Sequence, residues 1–592
     1  MIKRIITYVL SFFVILTLVA CQKDTKSDEE VQKEFDTFIK KEFVDAMEND
    51  YITMHTYLTN PKNYGVDENK VKVRLGIYLD EDSQKEAIEK EENTYEKFKE
   101  FDRDKLTEQQ KDIYDVYEYQ NSLSEKLNDD KYDYYEPAFQ SMTGIHYQIP
   151  TLFSDWELRN EKDVKDLILL VKDIKPYIDS ALDYTKKQEE KGLLMLDIDN
   201  IMKYCKNIID KGDKSSVLVS MNENIDALSL DKTKTEKYKK ELKKAFSSSF
   251  IVAYQNIYDT MNELKKSGQN NTEGLANFKY GKDYFELKLQ QKIGSLKTAK
   301  EVKKMMEKGY DEHVAILQDV VMNNAEKMQP LIDNKLPKTS YKNYKEILDS
   351  NKKKIKENFP SVNNLDYVIK DVNQEIASDS GVSAYFNIPA IDGNSTKQLR
   401  VNPKNNSANT IDTYSTVSHE GFPGHMYQYA YMYENVDSDY IKSLANVLAY
   451  TEGYAVYAQF ESFKYLDTID QALLEAYKEN MIASYDVIIV ADIGIHYEGW
   501  SLDDFKSYLR GKGFSLNDDD MKEQYLQLQA NPAAFEAYYV GYHEFASIKQ
   551  DAKNQLGNQF NEKEFNKALL ESGTATFEVV QRHVDQYISQ VK

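Results

Sequence analysis

Residues 410–428 of this 592-residue chain read TIDTYSTVSHEGFPGHMYQ and contain two of its eight histidines. A histidine followed by a glutamate, with a second histidine on the same helix, is the pattern by which zincins bind zinc and place a base. In that pattern the second histidine follows four residues after the first, whereas His419 and His425 are six apart. In an unbroken helix, residues six apart point about 120° away from each other. A straight helix would therefore keep the two imidazoles from sharing one ion.

Pro423 and Gly424 lie between the two histidines and offer a solution. Proline removes a backbone donor and kinks a helix, while glycine accepts unusual backbone dihedrals. A bulge of two extra residues at this point would bring His425 back beside His419. The alternative is that the helix ends at Gly421-Phe422 and that His425 is an ordinary residue starting the next helix. Spacing alone leaves both interpretations open.

A third ligand is expected downstream, and the segment 447–458, VLAYTEGYAVYA, contains a candidate. Glu452 is the only acidic residue in this largely apolar run. A carboxylate in such surroundings is costly unless it is paired or binds a metal. Glu452 is therefore the candidate third ligand.

The two segments together resemble the bacterial "domain of unknown function 885" family, which is placed among the zincin-like metallopeptidases. That family carries His-Glu-x-x-Pro-Gly-His, followed by Glu-Gly-Trp-Ala-x-Tyr-Ala-Glu. This chain departs from the second motif twice, with Tyr454 in place of Trp and Gln459 in place of the final Glu. Neither departure falls on a proposed ligand.

The resemblance spans roughly residues 35–590 and implies a mainly α, large multi-helical zincin-like metallopeptidase fold with a small β-sheet beside the active-site helix. It also implies that His419, His425 and Glu452 bind one Zn²⁺ per chain. Glu420 would then be the base for the metal-bound water.

Residues 492–501, DIGIHYEGWS, also resemble the family. Asp492 and His496 are four residues apart and share a helix face. The aspartate could orient His496 toward substrate as a catalytic group, or the pair could merely support the core.

Residues 534–544, AFEAYYVGYHE, carry the last family-like signature, in which Tyr538 and Tyr542 lie on one helix face. Thimet oligopeptidase-type enzymes have a similar Tyr-Tyr-Gly-Tyr run. A tyrosine hydroxyl directed at the developing oxyanion is a common electrophile beside zinc. We expect this role for Tyr538, with Tyr542 as the second candidate, although with 45 tyrosines in the chain a structural role is the general expectation for any one.

Between residues 365 and 402 the sequence favours β-strands over helices, and this is the one region where it does so. The β-prone runs are Tyr367–Ile369, Val382–Ile388 and Gln398–Asn402, with a turn at Asp392-Gly393-Asn394 before the last run. An edge strand beside the metal helix could pair with substrate backbone, in which case we expect Tyr385 and Asn387 to bind substrate. The alternative is a plain structural hairpin.

The composition favours a helical protein that does not bind nucleic acid. Glycine (22) and proline (11) are scarce, and long charged stretches have helical periodicity. These stretches are Asp82–Phe101, Lys162–Gln188, Lys234–Leu264 and Thr298–Met328. A formal charge of −23 repels nucleic acid and polyanions. We predict one helical unit over residues 35–592, with the possibility of two lobes. His55 and His313 lie in ordinary helical contexts and receive no role.

Residues 1–21 are predicted to be an export signal, because a charged start and a short apolar run precede Leu18-Val19-Ala20-Cys21, which matches a lipobox. A lone transmembrane anchor is the alternative. Lipidation of Cys21 would tether the protein to the cell membrane outside the cytoplasm. Residues 22–34 are predicted to be a flexible tether. Cys205 then has no partner, so no disulfide is expected.

The predicted function is zinc-dependent hydrolysis of peptide bonds in short peptides by a membrane-anchored extracytoplasmic lipoprotein. One alternative is a catalytically inactive peptide-binding lipoprotein on a peptidase fold. Another is a hydrolase with a different metal or a non-peptide substrate. No Gly-x-Ser-x-Gly motif or other serine or cysteine nucleophile motif is present, which argues against a metal-free hydrolase.

Overall fold

The structure, a computed structural model, describes residues 26–333, 335–379, 383–393, 396–404 and 407–592. The predicted signal peptide and Cys21 lie outside the described residues. The helices are α1 Asp28–Asn49, α2 Tyr51–Tyr57, α3 Glu81–Phe98, α4 Glu108–Leu127, α5 Ile145–Ser154, α6 Glu161–Glu190, α7 Ile198–Lys211, α8 Ser216–Ala227, α9 Lys232–Ala245, α10 Ile251–Ser267, α11 Gly281–Ile293, α12 Ala299–Asn323, α13 Gln329–Ile332, α14 Tyr344–Lys354, α15 Gln374–Asp379, α16 Ile411–Glu420, α17 His425–Asn435, α18 Asp439–Ser443, α19 Leu448–Glu461, α20 Gln471–Ile493, α21 Leu502–Gly511, α22 Asp518–Gln529, α23 Glu536–Leu556, α24 Glu562–Glu571 and α25 Phe577–Val591.

The predicted class, mainly α with a small β-sheet, is confirmed, and the sheet lies beside the helix that carries His419 and Glu420. The four charged stretches predicted to be helical correspond to α3, α6, α12 and the pair α9–α10, which a π-helical turn at Phe246–Phe250 joins. Among the described residues, no helix is long and apolar enough to span a bilayer.

The sheet has three strands, β1 Tyr367–Asp371, β2 Ala384–Asn387 and β3 Lys397–Val401, in the order β1-β3-β2. β3 pairs with β2 in antiparallel fashion and with β1 in parallel fashion. All three strands lie where the sequence predicts them, although part of the predicted turn, including Asn394, lies outside the described residues. β2 is at the edge of the sheet, as the edge-strand hypothesis requires.

Helix α1 begins earlier than the predicted tether allows. Ser27 caps the helix in a capping box with Glu30, and Val31 and Phe35 are buried on its inner face. Residues 28–34 are therefore helical and packed rather than part of a flexible tether. The apolar positions Val31, Phe35 and Ile39 recur at helical spacing, and burying them holds this first turn against the rest of the protein.

The hydrophobic core divides into two large clusters. The first core lies between residues 43 and 264, and the second takes in residues between 275 and 588 together with parts of α1, α3 and α4 and the segments around Tyr135 and Met195. The chain passes between the two cores several times, and one crossing is near residues 136–143, because Tyr135 packs in the second core and Phe139 in the first. Pockets often form at such boundaries between packed units.

Helices α19 and α23 approach each other closely, which places the residues they carry side by side. A Cβ atom on Gly541 would lie 2.2 Å from the carbonyl oxygen of Ala449, and one on Gly453 would lie 2.5 Å from the Cα of Gly541. Only glycine fits at these two positions. The contact fixes Glu452, which precedes Gly453, relative to the first turn of α23.

Candidate metal centre

The two histidines of the opening stretch lie on two separate helices. α16 ends at Glu420 and α17 begins at His425, so the prediction of a bulge within one continuous helix is wrong. The four-residue link, with a cis peptide bond between Phe422 and Pro423, folds back against the end of α16. A Cβ atom on Gly424 would lie 1.8 Å from the carbonyl oxygen of His419. This close passage brings the two imidazole rings to 4.8 Å, at right angles to each other.

Glu452, on α19, completes a three-residue cluster. Its Oε2 atom lies 3.4 Å from Nε2 of His419 and 3.3 Å from Nε2 of His425. The three residues predicted to be ligands therefore direct one donor atom each toward a common point. All three side chains are largely buried.

The outer ring nitrogens of both histidines face amide oxygens. Nδ1 of His419 lies 3.2 Å from Oε1 of Gln459, and Nδ1 of His425 lies 3.4 Å from Oε1 of Gln428. An amide oxygen only accepts hydrogen bonds, so each Nδ1 carries the hydrogen and each Nε2 is left for a ligand. Histidines that bind a metal are usually oriented in this way. Gln459 occupies the position where the family has glutamate, and it supplies the same acceptor.

The electrostatics of the cluster call for a cation. Burial lowers the pKa of His425, but the charges of Glu452 and Glu420 outweigh burial and raise it to about 9. Burial raises the pKa of Glu452, and the two histidines outweigh burial and lower it. Without a metal, the negative charge of the carboxylates is balanced by a proton on His425. Two imidazole nitrogens and a carboxylate also form the donor set of catalytic zinc sites, so the residues fit Zn²⁺.

Glu420 lies beside the cluster of His419, His425 and Glu452 but is not one of its three residues. One carboxylate oxygen, Oε1, is 4.0 Å from Nε2 of His419, and the other accepts a hydrogen bond of 2.9 Å from the backbone N–H of Phe386 on β2. The pKa of Glu420 is raised, mainly because the side chain is buried. The charge of Glu452 raises this pKa further, whereas the charges of His419 and His425 lower it. A raised carboxyl pKa is the direction that suits a general base working near neutral pH.

A cavity of about 430 Å³ reaches the cluster from the side of His419 and Glu420. Its walls come from α11, α16, α19, α20, α23 and the loops at residues 140–143 and 531–535. A second, larger cavity of about 1140 Å³ shares Met142 and Thr143 with it, and its lining combines apolar residues of α5 with polar and charged residues of α22. The two cavities therefore adjoin at residues 142 and 143.

The structure separates the two predicted tyrosines. Tyr538 lines the cavity, and its ring lies 6.2 Å from that of His419 and nearly parallel to it. Tyr542, four residues further along α23, contacts Phe460 and His313 instead and is not part of the cavity lining. Of these two predicted tyrosines, Tyr538 is therefore the one that lines the cavity at the cluster.

The structure does not bring His496 to the cluster. The ring is fully buried; Nδ1 accepts from the N–H of Leu275 at 3.1 Å, and Nε2 lies 3.1 Å from the carbonyl oxygen of Leu528. Asp492 is 3.6 Å from Nε2, so the predicted proximity of the pair is present. Burial lowers the pKa of His496 to about 4, so the ring stays neutral and ties three segments together.

Tyr385 and Asn387, predicted to bind substrate, lie on β2 but do not line the cavity. The hydroxyl of Tyr385 donates to Asp155 at 2.5 Å, and Asp155 also pairs with Arg400. β2 contributes to the site through its backbone, because the N–H of Phe386 donates to Glu420. A pattern of side chains could not have revealed this contact, because it depends on how the strand lies against α16.

Residues 62–584 match the family described as "Bacterial protein of unknown function (DUF885)". No curated protein matches the chain. Among solved structures, one described as a putative lipoprotein from Colwellia psychrerythraea aligns with a TM-score of 0.80 and 15% identity, over 95% of this chain and 99% of that one. A putative lipoprotein of unknown function from Shewanella oneidensis aligns with a TM-score of 0.59 and 15% identity, over 94% and 99% of the two chains. At this identity the likeness shows a shared fold alone.

Proposed function

The chain belongs to the DUF885 family, and from its metal-site geometry we propose that it is a zinc-dependent peptidase acting on short peptides. The observation that carries the proposal is the convergence of His419, His425 and Glu452, with Glu420 beside them and a cavity leading to that side. Three protein ligands leave a coordination position for water or substrate, which distinguishes catalytic from structural zinc sites.

His419, His425 and Glu452 would hold the zinc ion, which would polarise the scissile carbonyl and lower the pKa of a bound water toward about 7. Glu420 would accept a proton from the attacking water and pass it to the leaving amine. Tyr538, which lines the cavity beside His419, would donate a hydrogen bond from its hydroxyl to the carbonyl oxygen as that oxygen becomes negative. Gln459 and Gln428 hold the two imidazoles in the tautomer that presents Nε2 to the metal.

The shape of the cleft favours a short peptide as substrate. The inner cavity of about 430 Å³ is walled by helices and two loops, and the adjoining cavity offers both apolar and polar walls for side chains. The backbone N–H of Phe386, on the edge strand β2, holds the carboxylate of Glu420 beside the cluster whatever the side chains of the substrate are. The chain's net charge of −23 disfavours nucleic acid and other polyanions.

A test of Tyr538 has a matched control on the same helix. Tyr538→Phe removes only the hydroxyl, so we expect kcat for peptide hydrolysis to fall by about 10²-fold or more, as for loss of one oxyanion donor, with KM little changed. Tyr542→Phe lies one turn away, outside the cavity, and should keep kcat within a few-fold of the original. Steady-state kinetics on one peptide compares the two. Equal losses in both variants would contradict the role given to Tyr538.

We also propose that the protein is tethered outside the cytoplasm by lipid on Cys21, which lies outside the described residues. Cys21→Ala should release the protein from the membrane fraction or block its processing. Cys205→Ala is the control, because that thiol is buried in the first core and free of any disulfide among the described residues. Fractionation of cells expressing each variant measures the effect. Membrane association of Cys21→Ala equal to that of the original chain would refute the tether.

A further inference from the structure

We propose that the protein has a second metal site, formed by His313 of α12, Asp486 of α20 and His543 of α23, which binds a first-row divalent cation such as Zn²⁺. One ligand atom from each of these side chains lies within 4.8 Å of the others. None of the three belongs to the cluster around His419. The two imidazole rings are 5.4 Å apart, and Nε2 of His543 lies 2.7 Å from Oδ1 of Asp486.

The carboxylate of Asp486 is the feature that points to a ligand. Its side chain is 0% exposed, and within the described part of the chain its second oxygen, Oδ2, has no hydrogen-bond partner. A buried carboxylate oxygen without a donor is costly. A cation bound between Asp486 and the two histidines would satisfy it.

Helix α12 passes close to this oxygen at a glycine. Gly309 precedes His313 by four residues on α12. A Cβ atom at Gly309 would lie 3.0 Å from Oδ2 of Asp486 and 2.6 Å from Cε1 of His543. Glycine in a helix interior costs roughly 1 kcal/mol relative to alanine. Its presence here keeps a side chain from crowding the carboxylate and the ring.

A second carboxylate orients His313. Glu479, buried beside it on α20, accepts a hydrogen bond from Nδ1 of His313 and pairs with Lys478 at 3.0 Å. With the hydrogen on Nδ1, the lone pair of His313 is on Nε2. The carboxylate–histidine–metal arrangement is a common way of fixing the tautomer of a metal ligand.

The donor set and exposure suggest the kind of ion. Two imidazoles and one carboxylate suit zinc and neighbouring first-row ions rather than Ca²⁺ or Mg²⁺, which prefer oxygen. The side chains of His313 and His543 are 14% and 11% exposed, so an ion can enter and water can complete its coordination. An ion here would link α12, α20 and α23. By binding the folded chain only, it would stabilise that chain.

The test is the zinc content of the purified full chain after dialysis against Zn²⁺ and gel filtration. We expect two zinc ions per chain in the original, one in His425→Ala, one in Asp486→Asn, and none in the double variant. Asp486→Asn keeps the shape and one acceptor for His543, so folding should survive. His583→Ala, which alters a histidine paired with Asp112 elsewhere, should keep both ions.

A titration separates this proposal from the proposed peptidase site. In the metal-stripped His425→Ala background, added Zn²⁺ should raise Tm and saturate at one equivalent, and Asp486→Asn should weaken that binding at least tenfold. A single ion that Asp486→Asn leaves unchanged overturns the second site and leaves the peptidase proposal intact. A single ion lost in Asp486→Asn but kept in His425→Ala supports the second site and overturns the first.

Discussion

Replacing Glu420 by glutamine is expected to lower kcat for peptide hydrolysis by about 10²–10⁴-fold while leaving the zinc content unchanged. Glutamine has nearly the same shape, and its amide oxygen can still accept the hydrogen bond from the backbone of Phe386. The base is lost, but the three ligands are untouched. Kinetics on a defined peptide, with zinc analysis of the same sample, measures both quantities.

The matched control for this change is Glu434→Gln, on the next helix, α17. Glu434 is exposed and accepts hydrogen bonds from Asn363, so the same chemical change there should leave hydrolysis unaffected. If Glu420→Gln hydrolyses peptides as fast as the original, the mechanism is wrong. A protein that only binds peptides would show no cleavage in either form and equal peptide affinity in both.

The second large effect, on both zinc content and hydrolysis, is expected when any one of the three proposed ligands is replaced. His419→Ala, His425→Ala or Glu452→Ala should each lower the zinc content by one ion per chain and abolish hydrolysis. Removal of an outer hydrogen-bond partner costs about 10–100-fold in metal affinity, and loss of a ligand should cost more. Gly424→Ala should have the same outcome without touching a ligand, because its Cβ would overlap the carbonyl of His419 and push the two histidines apart.

Two comparisons make the ligand result specific. Gly511→Ala places a Cβ where nothing lies within 4 Å, so it should retain zinc and activity and serves as the control for Gly424→Ala. Gln459→Ala should keep the ion at reduced affinity, because it removes only the acceptor for Nδ1 of His419. Full zinc and full activity in His425→Ala would mean that the ligand set has been misassigned.

The class of the fold and the three strands could be predicted from the sequence, and the family resemblance implied the meeting of His419, His425 and Glu452. The fold class follows from scarce helix breakers and helical periodicity, which are local properties. Glu452 could be singled out because an isolated carboxylate in an apolar helix needs a partner. Membership of the family is confirmed by the match over residues 62–584.

Other features depend on tertiary structure and could not be read locally. The end of α16 at Glu420 and the folded-back link are set by packing, so spacing did not distinguish a bulge from a break. His496 has a family-like motif, yet it is buried by α11, α22 and their loops, which no pattern around residue 496 reveals. His313, Asp486 and His543 come from three helices separated by more than 50 residues each, and the ordinary helical context of His313 does not reveal their meeting.

The close contact of Gly453 with Gly541 has a consequence for how this cleft can adapt. Because the two helices touch at these glycines, α19 and α23 cannot slide past each other, and the distance between Glu452 and Tyr538 is fixed. Relatives that take bulkier or smaller substrates would have to differ elsewhere, in the loops at residues 140–143 and 531–535 that form the remaining walls. Substitutions between relatives should therefore concentrate in those loops, whereas Gly453 and Gly541 should remain glycine even where the surrounding side chains differ.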